Sequence, residues 1–330
     1  MKPLLDIRNL HVEVKSSRPR LSVLDGISLS IYPGDVVGIV GESGCGKSAL
    51  SLSVLGLLPS ALKVSRGEVE YKSQLLDPSS KDELRKIRGK EIAMIFQDSM
   101  TSLNPTLPIG KQIIEMLTYH LKMSRKQAKE HAVQLLHKVG LPHPEALMKD
   151  YPHQLSGGMR QRVMIAIAIS CNPGLLIADE PTTALDVTIQ AQILDVLKQI
   201  RQQFGTTIML VSHDLGVISE VCNRVAVMYA GQIVEEGTVE EIFDHPQHPY
   251  TLALLDSIPT PAKKNERLFS IAGTVPALHE RGAGCRFSSR CEHAAKQCFV
   301  HSPPRIEINK MHAVSCFLAV EEGALAYAVN

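Results

Sequence analysis

VVGIVGESGCGKSALSLSVLGLL (residues 36–58) decides the fold. Its first five residues are apolar without alternation and read as a strand buried on both faces. GESGCGKS then reads as a glycine-rich turn and SALSLSVLGLL as a helix. The turn fits G-x-x-x-x-G-K-[ST] and stands where that motif has mechanical meaning, after a strand and opening a helix. Amide N–H groups of such a loop, together with the positive end of the helix dipole, cradle phosphate oxygens. Gly41, Glu42, Ser43, Gly44, Cys45, Gly46, Lys47, Ser48 and Ala49 are therefore the candidate phosphate-binding residues. Lys47 supplies a point charge and Ser48 a hydroxyl for Mg²⁺. Cys45 falls at a free position of the motif.

Upstream, LLDIRNLHVEV and SVLDGISLSIYPGD alternate apolar and polar residues and end in Pro33-Gly34, which predicts antiparallel strands. Downstream, residues 98–155 are mostly helical in pattern, with Ser124 a predicted N-cap. Ser156 opens a further helix through Ala168. LLIADE and TTIMLVSHD read as buried strands flanking the helix TIQAQILDVLKQIRQQF, and RVAVMYAGQIVEEG as a hairpin turning at Ala230-Gly231. Apolar strands alternating with helices imply a parallel sheet covered on both faces. The fold expectation is α/β, with three parts: 1–97 with 156–244 as the core, 98–155 as an inserted helical subdomain, and 245–330 as a C-terminal extension.

LLIADE delivers Asp179 and Glu180 to the C-terminal end of a strand, where α/β sheets place ligands. Asp179 suits Mg²⁺, and Glu180 suits orienting or deprotonating water for in-line attack on a phosphate. LSGGMRQR (residues 155–162) supplies another anion site: Ser156, Gly157 and Gly158 open a helix, so free N–H groups face outward there. The chain's own phosphate loop already holds one set of phosphates, so this opening serves another copy.

These stretches together resemble the ATP-binding cassette (ABC) ATPases, with LSGGMRQR as the signature motif. The resemblance implies a P-loop NTPase (RecA-like) core with an antiparallel β subdomain, and ATP sandwiched between one subunit's phosphate loop and the other's signature loop in a head-to-tail dimer. It implies roles for Gln97 as the Q-loop glutamine touching Mg²⁺ and water, for Ala184-Leu185-Asp186 as the D-loop, and for His213 as the switch histidine near the γ-phosphate. Members often stack an aromatic on adenine; LHVEVKSSRPRLSVLDG has none and leaves Val14 or Leu21. QDSMTSLNPTLPIG, HPQHPYTLALLDSIP and the cysteine-rich tail resemble the ATPases of bacterial oligopeptide, dipeptide and nickel importers. That implies two integral-membrane permeases, a paralogous ATPase subunit or a second copy as dimer partner, an extracytoplasmic substrate-binding protein, and a peripheral place on the cytoplasmic face of the cell membrane. Peptide is the expected cargo and nickel or another metal chelate the alternative. His120, His131, His137, His143 and His153, spread through the helical region, read as surface residues rather than ligands.

Composition sets the remaining bounds. Lys+Arg 35 against Asp+Glu 34 gives a net charge of +1, which offers no field to recruit nucleic acid. Soluble ABC ATPases acting on DNA or ribosomes are thereby disfavoured, as is nucleic acid as a partner. Asp6 and Arg8 interrupt the apolar run that a secretory signal needs, so a cytosolic chain is expected. Cys285, Cys291, Cys298 and Cys316 gather four of the seven cysteines near the C-terminus with spacings of x5, x6 and x17. Those spacings match neither zinc ribbons nor bacterial ferredoxins and leave an iron–sulfur cluster, zinc or independent thiols open. The Pro- and Gly-rich surroundings favour a metal staple. The family resemblance implies a [4Fe–4S] cluster, with zinc as the alternative.

Overall fold

The computed structural model describes residues 2–17, 20–78, 80–98, 102–183, 185–258 and 271–321. Residues 99–101 of the Q-loop segment and Ala184 of the D-loop lie outside the described residues. The strands are β1 (Leu5–Val14), β2 (Ser22–Ile31), β3 (Val36–Val40), β4 (Leu62–Tyr71), β5 (Gln74–Leu75), β6 (Ile92–Ile95), β7 (Leu175–Asp179), β8 (Thr207–Ser212), β9 (Arg224–Tyr229), β10 (Gln232–Thr238), β11 (Ile306–Asn309) and β12 (His312–Val314). The helices are α1 (Lys47–Val54), α2 (Lys81–Ile87), α3 (Ile109–Leu121), α4 (Arg125–Lys138), α5 (Pro144–Leu147), α6 (Gly157–Ile169), α7 (Val187–Phe204), α8 (Leu215–Val221), α9 (Val239–Asp244), α10 (Pro249–Asp256), α11 (Lys296–Val300) and α12 (Leu318–Glu321). The chain divides into two units, residues 1–31, 35–78 and 212–330 in the first, 32–34 and 79–211 in the second. No helix among the described residues is long and apolar enough to cross a membrane.

In the first unit, β1 pairs antiparallel with β2 and β4, and β4 with β5. Leu5 and Ile7 of β1 are buried with the period of two the alternation predicts, and Leu10 and Val12 continue it only after an irregularity at Asn9 (φ 47°) shifts the register by one residue. β3 is buried at every residue and pairs in parallel with β9, as its unbroken apolar run requires. The hairpin between β9 and β10 turns at Ala230 (φ 45°) and Gly231 (φ 89°), the two consecutive positive φ values of a type I′ turn. The C-terminal extension is not set apart: β12 adds to β10, with Glu235 opposite Val314 and Glu236 opposite Ala313, and β11 pairs with β12. Strands of three and four residues are too short to show a period, so this hairpin is not visible in the sequence.

In the second unit β6, β7 and β8 form a parallel run in the order β8-β7-β6. The helical segment builds its own core from Ile109, Ile113 and Leu117 of α3 and Ala128, Ala132, Leu135 and Leu136 of α4, all buried. Each large aliphatic buried there contributes about 1.5–3 kcal/mol. Ser124 caps α4 as expected, in a reciprocal capping box with Gln127.

Candidate functional site

The predicted site residues fall in both units, and each unit is described by itself. In the first unit the phosphate loop runs from buried β3 into α1. Gly41 has φ 151°, and a Cβ there would meet the Met228 carbonyl oxygen at 2.1 Å, so neither the backbone nor the space admits another residue. Lys47, only 6% exposed, folds back across the loop, with Nζ donating to the carbonyls of Gly41 (2.7 Å) and Glu42 (3.2 Å). Ser43 and Gly44 are exposed at the tip, while Gly46, Ser48 and Ala49 are half-buried. Cys45 is fully buried, burial pushes its thiol pKa up, and its carbonyl accepts from Gly231 N–H at 2.8 Å. It is a core side chain beneath the loop.

Glu42 is held by groups outside the loop. Its carboxylate takes a bidentate pair from Arg290 at 2.6 and 3.0 Å, and its amide donates to the Tyr250 hydroxyl at 2.9 Å. Neither partner was a sequence-predicted site residue; the signal was the pattern H-P-Y at 248–250 and the Arg-Cys pair at 290–291, but neither says what it touches. Also in this unit, His213 is exposed between β8 and α8, just before Asp214, which caps α8 by accepting from Gly216 N–H at 2.8 Å. Val14 and Leu21, the two apolar candidates for an adenine platform, face each other across the β1–β2 turn, joined by a backbone hydrogen bond of 3.0 Å, and both are half-buried.

In the second unit β7 ends on Asp179, 3% exposed, followed by Glu180 in the left-handed region at φ 47°. A bulky residue with positive φ costs on the order of 1–3 kcal/mol and concentrates at functional sites. Glu180 Oε2 accepts from Gln97 Nε2 (2.9 Å) and from Thr183 Oγ1 (2.8 Å), so two predicted site residues, Gln97 and Glu180, meet directly. The signature loop and the D-loop helix also meet. Ser156 caps α6, accepting from Met159 N–H at 3.3 Å, and Asp186 caps α7, accepting from Ile189 N–H at 2.9 Å. A Cβ on Gly158 would lie 2.7 Å from Ile189 Cγ2, and one on Gly157 3.8 Å from Leu185. Only glycine at 158 lets α6 start this close to α7. Within this unit Asp179 offers a carboxylate and Gln97 an amide oxygen, and in the first unit Ser48 offers a hydroxyl, each by itself a hard donor of the type Mg²⁺ takes.

The four tail cysteines share one cavity of about 30 Å³, which Phe287 and His248 also line. All are free thiols. Burial, together with the neighbouring cysteines, raises the pKa of Cys285 and Cys291 and pushes Cys316 up to about 11. His248 is 1% exposed; burial holds its pKa down to about 4, so it is neutral. Its Nδ1 accepts from the Tyr250 amide at 3.0 Å, which leaves the proton on Nε2, an atom with no hydrogen-bond partner among the described residues. As placed, however, no group of three or more His, Cys, Asp or Glu side chains among the described residues is arranged to hold a metal ion. The structure thus supplies a shared thiol cavity and no formed metal site, so the iron–sulfur expectation is not supported by the side-chain placement.

The ABC transporter family profile matches residues 24–183, and the profile of the oligopeptide/dipeptide transporter C-terminal region matches residues 234–298. The chain is similar to the oligopeptide transport ATP-binding protein AppD of Bacillus subtilis, 49% identical over 98% of this chain and 99% of that protein. It is 47% identical to the dipeptide transport ATP-binding protein DppD of the same organism, over 96% of this chain and 95% of that protein. Among solved structures, the dimeric ATP-binding cassette MJ0796 in a post-hydrolysis state bound to ADP and Pi aligns with a TM-score of 0.64 at 30% identity. That alignment covers 71% of this chain and 98% of that one.

Proposed function

The chain belongs to the ABC transporter family of ATP-binding proteins, and from that premise we propose that it is the ATPase subunit of a bacterial importer of di- and oligopeptides. The observation that carries the ATPase reading is Glu180: a carboxylate ending a buried strand, in a strained backbone conformation, aimed by Gln97 and Thr183. Residues 41–48 and Lys47 bind the phosphates of ATP, and Glu180 orients and deprotonates the attacking water. Ser48, Asp179 and Gln97 hold Mg²⁺, which when bound offsets charge on the phosphates. Ser156, Gly157, Gly158 and Asp186 present their helix openings to the nucleotide of a second ATPase subunit, a paralogue or another copy. His213 senses the γ-phosphate.

ATP held by both subunits favours the closed dimer, and hydrolysis removes the shared ligand, so closure and release alternate. The helical segment 98–155 passes that alternation to two membrane permeases, which places the chain on the cytoplasmic face of the membrane. An extracytoplasmic binding protein delivers the cargo. Peptide as cargo rests on the names of the relatives and on the C-terminal region they share with this chain. For the tail we propose that Cys285, Cys291, Cys298 and Cys316 take a [4Fe–4S] cluster, or zinc in its place. This reading rests on the family resemblance and on the cavity the four cysteines share, and it requires the thiols to move from the positions described above, which form no metal site.

The test is uptake. Cells lacking the chain should lose import of labelled di- and oligopeptides while nickel uptake is unchanged, and the wild-type chain but not Glu180→Gln should restore it. Loss of nickel uptake with intact peptide uptake would transfer the assignment to metal-chelate import.

A further inference from the structure

An acidic residue inside a phosphate loop is an electrostatic liability, because its carboxylate stands close to where the phosphate charge will lie. Glu42 is such a residue, and Arg290, 248 positions away, neutralises it with a bidentate pair. The guanidinium is itself immobilised. Its Nε donates to Ala272 O at 2.8 Å, its other N–H groups reach Ile271 O and the Tyr229 hydroxyl, and its side chain is 4% exposed. It also lies over the rings of Tyr229 and Phe287, 5.7 and 5.9 Å from their centroids. A side chain held at so many points imposes its position on its partner.

The amide of Glu42 is fixed as well, by the hydroxyl of fully buried Tyr250, whose ring packs edge-on to Tyr229 at 4.6 Å. Both grips on the loop therefore come from the region after residue 245.

We propose that Arg290 and Tyr250 are positioning residues of the phosphate loop: Arg290 cancels the Glu42 charge that would repel ATP phosphates, and Tyr250 orients the Glu42 peptide. The C-terminal extension is then part of the nucleotide site. This rests on residues 41–48 being the ATP loop, and the test separates the two.

Equilibrium binding of a fluorescent ATP analogue to the full chain is measured for Arg290→Met, Glu42→Gln, the double variant, Tyr250→Phe and Lys47→Ala, with KM and kcat for hydrolysis. Arg290→Met should bind about tenfold more weakly, with KM rising more than kcat falls. Removing the offending charge in the double variant should restore affinity to within about threefold of wild type, a rescue that a merely structural arginine would not allow. A double variant as weak as Arg290→Met, or Arg290→Met binding normally while Lys47→Ala does not, overturns the proposal. Should Arg290→Met not fold, Tyr250→Phe decides: severalfold weaker binding is expected, and unchanged affinity overturns the proposal. Normal binding by Lys47→Ala would instead overturn the phosphate-loop reading itself.

Discussion

Gln97 Nε2 donates to Glu180 Oε2 at 2.9 Å, joining a residue two positions beyond the end of β6 to the residue directly after β7. The glutamine sits at the head of the helical segment, and the carboxylate is the one proposed above to activate water. On that proposal, a movement of the segment that carries Gln97 with it will shift the carboxylate and so act on hydrolysis.

Replacing Glu180 by Gln keeps the side chain's shape and its bond from Thr183 Oγ1 but removes the base. Hydrolysis should fall by about a hundredfold or more while ATP affinity is retained. Single-turnover phosphate release alongside equilibrium binding checks this; normal turnover would remove Glu180 from the reaction.

The contact between Gly158 and Ile189 makes a steric prediction. In Gly158→Ala the new methyl meets Ile189 Cγ2 at 2.7 Å, so α6 or the isoleucine must shift, at a cost of about 1–3 kcal/mol. Thermal unfolding should show the loss, and Ile189→Ala in the same chain should recover part of it. An additive loss in the double variant would contradict the contact.

His312 predicts a pH dependence. Its Nε2 stands 2.8 Å from Glu235 Oε1 and its Nδ1 3.2 Å from Glu241 Oε2, so both nitrogens donate only when the ring is charged. Burial lowers its pKa, but the hydrogen bond to Glu235 and the charges of Glu235 and Glu241 outweigh it and the pKa ends above the ordinary value. A raised folded-state pKa contributes stability that is complete below the unfolded value of about 6.5 and is lost as pH rises through the folded one. The difference in melting temperature between wild type and His312→Gln should therefore shrink as pH increases from 6 upward. A constant difference would show that the ring is not charged.

Anaerobic purification followed by iron, acid-labile sulfide and zinc analysis tests the cysteine cavity. About four irons and four sulfides per chain, with absorption near 400 nm, are expected for a [4Fe–4S] cluster, and about half that or less from Cys291→Ser. One zinc without colour would keep a staple and remove redox chemistry. No metal would leave four thiols in an apolar cavity.

The phosphate loop, the strand ending in Asp179-Glu180, and the helix starts at Ser124 and Ser156 were all legible in the sequence. Each is a local arrangement: the chemistry depends on residues a few positions apart, and hydrophobic period and turn residues report it directly. The short strands β11 and β12 were not, because they exist only through the open edge that β10 offers them.

By itself, then, the amino-acid sequence determined the α/β core, the phosphate loop and the order of the motifs around it, since backbone propensity and burial period act over a few residues. Only the tertiary structure decided that Arg290 and Tyr250 close on Glu42, that His312 bridges Glu235 and Glu241, and that four cysteines share a cavity. Those contacts join side chains as many as 248 residues apart. A charged pair of that kind leaves no periodic trace along the chain; it forms because packing brings both groups out of water together, where each needs the other.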